Sequence, residues 1–214
     1  MSLSHDTSAG ISSTAPSPEM VAPGLVGRVK RMLLAPATEW ARVARESTTP
    51  ARLFCGYVMP LAGLAALVAL ARFSRNVHAP VVGVLAMVAL TLGFEVLAVY
   101  VAAQVINALA VSFGGVPTRG QALKVATYAF TPLWVAALFI PFPALSVPLL
   151  FLAGLYHTYL MYMGLRVLMR SPRDRALGYA TTVVLCSMIL YIVFTQISAG
   201  LGEILHLGHF RAFG

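Results

Sequence analysis

Glu95 is the only acidic residue that falls deep inside an apolar run of this sequence, near the middle of residues 80–113. A carboxylate at bilayer mid-depth costs at least ~2.5 kcal/mol, so it must face protein or water, or carry a proton. Thr91, Ala98 and Ala102 stand at i−4, i+3 and i+7 from it, a narrow stripe that lets a second helix approach closely. His157 occupies the corresponding depth of residues 144–168, with Ala153, Gly154 and Gly164 on roughly its side. Matching depth and matching small faces predict a Glu95–His157 contact. Such a pair can relay protons or hold a cation, or it can be a hydrogen bond that fixes helix register. The last reading is favoured, because two residues lack the chain of groups a pump needs.

Other residues offer less chemistry. Tyr156, Tyr159 and Tyr162 form an aromatic arc that Met163 and Arg166 continue; it reads as core packing plus an interfacial belt in preference to a ligand-binding wall. Gln104 and Asn107 lie towards the end of their run, where headgroup water can satisfy them. Glu203, His206 and His209 have an E-x-x-H-x-x-H spacing that keeps three side chains on one side of a helix. Gly202 and Gly208 loosen any such helix, so these three are weak metal candidates and no metal or cofactor is expected. H-E-x-x-H, G-x-S-x-G, G-x-x-x-x-G-K-[ST] and paired glutamates on one span are all missing, so an enzyme is not expected. Cys55 and Cys186 fall within apolar runs and read as small hydrophobes.

The elements that must position these residues follow from composition. Of 214 residues, 59% are hydrophobic and only 10% charged, where a soluble domain carries about 25%. Apolar runs at about 53–73, 80–113, 122–142, 144–168 and 176–198 are long enough to cross about 30 Å of hydrocarbon. The second is too long for a perpendicular span and must tilt or project. Pro141-Phe142-Pro143 divides the third from the fourth, and Pro60, Pro132 and Pro148 invite kinks within spans. The expected fold is all-α, a bundle of five transmembrane helices.

Fifteen Lys/Arg against seven Asp/Glu give a net charge of +8, but the charges cluster at run ends, which argues for anionic headgroups and against nucleic acid. With a cytoplasmic N-terminus, twelve basic residues face the cytoplasm and only Arg72, Arg75 and Arg211 the other side. Five spans then put the C-terminus outside. Residues 1–22 are Ser/Thr/Pro-rich and read as a disordered tail. Residues 23–50 are a cytoplasmic amphipathic segment: Leu25, Val29, Met32 and Leu33 share a face, with Arg28, Lys30 and Arg31 off it, and Pro36 separates a second short helix carrying Trp40 and Val43. This pair suits helices lying on the membrane surface, with Arg28, Lys30 and Arg31 on anionic headgroups; a hairpin packed on the protein itself is the alternative. Residues 51–199 hold the spans and 200–214 a periplasmic tail.

The stretch Arg28-Val29-Lys30-Arg31-Met32-Leu33-Leu34 with Pro36, Glu39 and Trp40 resembles the opening segment of bacterial Yip-family membrane proteins. Gly56-Tyr57-Val58-Met59-Pro60-Leu61, Tyr128-Ala129-Phe130-Thr131-Pro132, the run from Gly154-Leu155-Tyr156 to Ser171-Pro172, and Ala176-Leu177-Gly178-Tyr179 extend the resemblance over about 25–198. The resemblance implies a five-span helical domain with a cytoplasmic N-terminus. Eukaryotic relatives bind prenylated Rab-type GTPases, but this chain has a short basic N-terminal region and no acidic cytoplasmic domain, so Rab binding does not carry over. The reading is a non-enzymatic protein of a bacterial inner membrane that organises lipid or membrane-protein partners, or itself. Ala62, Ala66 and Ala69 offer one helix-recruiting surface. A small transporter or channel using Glu95 and His157 is the competing reading.

Overall fold

The computed structural model describes residues 24–73 and 81–204, and among these all regular structure is helical. Helices α1 (Leu25–Leu34) and α2 (Pro36–Arg45) form a hairpin that turns at Ala35. Pro36 sets that turn: it has no N–H to continue α1, and its fixed φ suits the first position of α2. The apolar face of this hairpin is buried against the bundle, with Met32, Trp40 and Val43 fully inaccessible. Of the two expectations for residues 23–50, the hairpin packed on the protein is therefore the one the geometry follows.

The first apolar run starts earlier than its hydrophobicity suggests. Thr49 caps α3 (Pro50–Leu53), which continues through a π-helical stretch (Phe54–Val58) into α4 (Met59–Phe73). Pro60 explains the widened turn, because its ring collides with the carbonyl four residues back in a regular helix. Helices α5 (Val81–Leu109), α8 (Pro143–Leu168) and α9 (Arg173–Ile204) are long and single. At about 1.5 Å per residue each exceeds the hydrocarbon thickness. α9 also runs past residue 199, where the sequence suggests a tail.

Among the described residues, four segments are long and apolar enough to cross a membrane: Pro50–Val68, Val88–Leu109, Pro143–Leu168 and Arg173–Ile197. The third run is not among them. It folds as α6 (Arg119–Ala129) and α7 (Thr131–Ala137), broken at Phe130 because Pro132 cannot donate to the carbonyl of Tyr128. α6 is buried from Ala122 to Ala129, enclosed mainly by α5 and α8. A helix wrapped in protein needs no lipid-compatible surface, which is why Gln121 and Lys124 are tolerated in its first turns. The long helices instead expose apolar side chains, among them Phe151, Leu155, Leu185, Met188 and Ile189.

Tight connections at one end hold the bundle in register. Val116 N–H donates to Met169 O at 2.8 Å, and Ser171 Oγ to Phe113 O at 3.1 Å. A Cβ on Gly115 would stand 2.9 Å from Met169 O, so only glycine admits that approach. Tyr179 donates its hydroxyl to Ile106 O and stacks on Phe113 with ring centroids 4.9 Å apart, which ties α9 to α5.

Candidate functional site

The break between α6 and α7 sets the geometry at mid-bundle. Pro132 leaves Tyr128 O without its usual helical donor, and Leu133 N–H turns to Phe130 O at 3.0 Å, which leaves Ala129 O free. Thr131 Oγ1 donates to Tyr128 O at 2.7 Å. His157 Nδ1 lies 2.7 Å from Ala129 O, and since a carbonyl only accepts, Nδ1 carries the proton. The His157 ring is 4% exposed and packs edge-on to Phe130. With the Thr131 proton committed to Tyr128 O, Tyr57 donates to Thr131 Oγ1 at 2.7 Å, which fastens the π-helical stretch to the same break.

Glu95 approaches this break through a different group. Its Oε2 accepts a 3.0 Å hydrogen bond from Trp134 Nε1, in α7. The expected Glu95–His157 contact is thus corrected: each residue has its own partner at the α6–α7 junction, His157 the backbone and Glu95 an indole. The close approach of α5 and α8 that matching depth and small faces suggested is not made, because α6 packs against both. Ala98, Ala102 and Ala153 are buried as small contact positions. Ala62 and Ala66 are also buried, so those two positions are used within the bundle; the Ala69 side chain lies outside the described residues. Gln104 is exposed, whereas Asn107 Oδ1 is buried without a hydrogen bond, away from the headgroup water expected for it.

A second cluster sits where the hairpin meets the bundle. Glu39, 1% exposed, accepts from Arg31 Nε at 2.9 Å and faces Arg28 Nη1 at 3.3 Å. Arg28 Nη2 donates to Glu46 Oε1 at 2.9 Å, and its guanidinium lies 5.3 Å from the Tyr128 ring centroid. Burial alone would lower the Arg28 pKa, but the Glu46 hydrogen bond and the charges of Glu46 and Glu39 outweigh it and hold the group above its ordinary value. Arg28 is therefore an internal ion-pair residue, correcting its assignment to headgroups; Arg31 pairs with Glu39 but keeps 34% of its side chain accessible, and Lys30 is exposed.

The hairpin's helix ends are closed by the bundle. Lys124 Nζ donates to Val43 O at 3.1 Å and to Glu46 O, and Gln121 reaches Ala44 O at 3.4 Å, so α6 supplies donors to the last carbonyls of α2. Tyr156 performs the same task for α1, donating to Leu33 O at 2.7 Å. Of the aromatic arc, Tyr159 is exposed beside Tyr156 and Tyr162 accepts from Arg166 on its own helix. None of the three lines the cleft between α1, α2 and the start of α3. Sequence reasoning treated Lys124 only as a topology charge and gave Glu46 no role. The signal available was the presence of carboxylates at 39 and 46 opposite basic residues at 28 and 31 across the Pro36 break.

Between α1, α2 and the start of α3 lies a cleft of about 870 Å³. It is lined by apolar Leu25, Leu53 and Gly56 and the rings of Tyr57 and Tyr128, by exposed Arg42, Arg45 and Arg52 with Ser47 and Thr48, and by the ion-paired Arg28 and Glu46. Among the described residues, no carboxylate lies within ion-pair distance of Arg42, Arg45 or Arg52. Among the same residues, no three His, Cys, Asp or Glu side chains converge as a metal site. His206 and His209, with the Glu203 side chain, lie outside the described residues. Cys55 and Cys186 are free and exposed.

A family model described as the Yip1 domain matches residues 30–195, which takes in the hairpin from Lys30, the α6–α7 break and most of α9. Neither a curated protein nor a solved structure matches the chain.

Proposed function

Because the chain belongs to the Yip1 domain family, we propose that it is a non-enzymatic membrane protein that organises lipid or membrane-protein partners, itself included, in a bacterial inner membrane. In this reading α6 and α7 together make the fifth crossing. Residues 119–140 rise about 33 Å at 1.5 Å per residue, enough for the hydrocarbon core once enclosed by the other helices. The basic hairpin end then faces the cytoplasm, in keeping with the charge asymmetry, and the far end of α9 the periplasm.

The observation that carries the reading is the fate of the polar groups at mid-bundle. His157 closes a carbonyl orphaned by Pro132, Thr131 closes a second, and Glu95 is held by Trp134. These are hydrogen bonds that define one packing, as buried polar groups in a specific fold do. The cleft at the hairpin includes neither Glu95 nor His157 in its lining. The outward faces of α8 and α9 are apolar and suit lipid or partner helices.

The test is flux. The full chain reconstituted in liposomes is expected to pass protons and monovalent ions no faster than protein-free vesicles, and Glu95→Gln, whose amide oxygen still accepts from Trp134, is expected to leave the folded yield nearly unchanged. A flux that the wild type supports and Glu95→Gln abolishes would replace this reading with transport.

A further inference from the structure

We infer that the cleft between α1, α2 and α3 is a binding site for the phosphate headgroup of an anionic phospholipid, held by Arg42, Arg45 and Arg52. The inference rests on the reading above, in which the hairpin end lies at a membrane surface. It begins from charge. Arg28, also on the cleft wall, is neutralised by Glu39 and Glu46. The other three arginines are exposed and have no carboxylate partner among the described residues, and the one carboxylate in the lining, Glu46, is paired with Arg28, so the cleft keeps a positive excess. The planar fork of each guanidinium matches two oxygens of a phosphate, a fit that an ammonium lacks.

The apolar lining of the cleft selects among sources of phosphate. A soluble phosphate needs donors on all sides, whereas Leu25, Leu53, Gly56 and Tyr57 add hydrocarbon and ring surface to the same cleft as the arginines. Leu53, Gly56 and Tyr57 belong to the first candidate span, which begins at Pro50 two residues before Arg52. From Gly56 the span continues outward as exposed Met59, Leu64 and Leu67, and a Cβ built on Gly56 or Gly63 meets no atom within 4 Å. An acyl chain therefore has an open apolar path leading down from the cleft, while the headgroup sits at its charged mouth. Arg42 and Arg45 come from the last turn of α2, and Lys124 with Gln121 occupies that helix's final carbonyls, so that turn is held in place by α6.

The experiment measures lipid selectivity. Full-length protein in phosphatidylcholine bilayers is titrated with spin-labelled phosphatidylglycerol and, separately, spin-labelled phosphatidylcholine. Wild type is expected to prefer the anionic probe. The triple variant Arg42→Gln, Arg45→Gln, Arg52→Gln is expected to lose that preference by about fivefold for each arginine that contributes a full surface-charge contact. These side chains are exposed and unpaired, so folding is not at stake. A second triple variant, Lys30→Gln, Arg119→Gln, Arg173→Gln, removes the same charge from exposed positions outside the cleft and is expected to keep most of the preference. Equal losses in the two variants would overturn the site and leave only diffuse surface attraction. Displacement of the lipid probe by millimolar inorganic phosphate, with no preference between the two lipids, would overturn the lipid assignment. Either failure leaves the flux result untouched, so the organising role and this site fall separately.

Discussion

Gly164 is the position where one methyl group should unseat the N-terminal hairpin. A Cβ at this residue would lie 2.9 Å from Trp40 Cη2, 3.0 Å from Cζ2 and 3.2 Å from Val125 Cγ1. Carbon atoms at ease stand about 3.5–4.0 Å apart, so the indole must retreat by several tenths of an ångström. It has little room to do so, because Trp40 is fully buried and meets Tyr128 edge-on at 6.3 Å. Overpacking of this kind costs about 1–3 kcal/mol. For a chain of this size that corresponds to a fall in melting temperature of about 2–4 °C per kcal/mol. The variant is Gly164→Ala in detergent, followed by thermal unfolding and by trypsin cleavage within α1 and α2, where Arg28 is otherwise buried. Both the melting temperature and the cleavage time are expected to drop. Trp40 Nε1 has no hydrogen-bond partner, so Trp40→Leu removes only ring volume and makes a clean second arm. In that background Gly164→Ala should cost almost nothing, a coupling of about the same 1–3 kcal/mol. An unchanged melting temperature for Gly164→Ala, or full additivity of the two substitutions, would refute the argument that the hairpin is seated through this contact.

Two further substitutions probe the polar framework. Glu39→Gln leaves Arg28 and Arg31 against a neutral group in a buried site, where breaking an ion pair costs about 3–5 kcal/mol; Glu46 still pairs with Arg28, so the low end is expected, and a melt within 1 °C of wild type would contradict it. His157→Leu strips the donor from Ala129 O, a loss of about 1–3 kcal/mol, and His157→Asn, which can still donate, should recover part of it; identical melts for Leu and Asn would show that the hydrogen bond carries no weight.

The kind of protein and most of its elements were legible in the residues. Apolar runs bounded by charges and by the Pro141-Phe142-Pro143 corner mark α8, α9, the first span and most of α5, because a lipid-facing helix must be apolar along its whole length. The amphipathic stripe of residues 24–47 identified two helices and the Pro36 break, since periodicity and proline act locally. Periodicity says which face is buried, however, and not against what. Lipid and protein are equally acceptable to Met32, Trp40 and Val43, and only the arrangement of α6 and α8, with Gly164 leaving space for an indole, put them on protein. The Glu95 and His157 partners were hidden for a related reason. Both residues stood out because polar groups in hydrocarbon need partners, but the partners were an indole and a backbone carbonyl. Ala129 O becomes available only when Pro132 breaks a helix three residues further on, and Trp134 reaches Glu95 only because that break redirects α7 while α6 fills the space between α5 and α8. Sequence determines which groups must be satisfied and which helices will form; the tertiary structure decides who satisfies them, because that depends on which helix packs between which others.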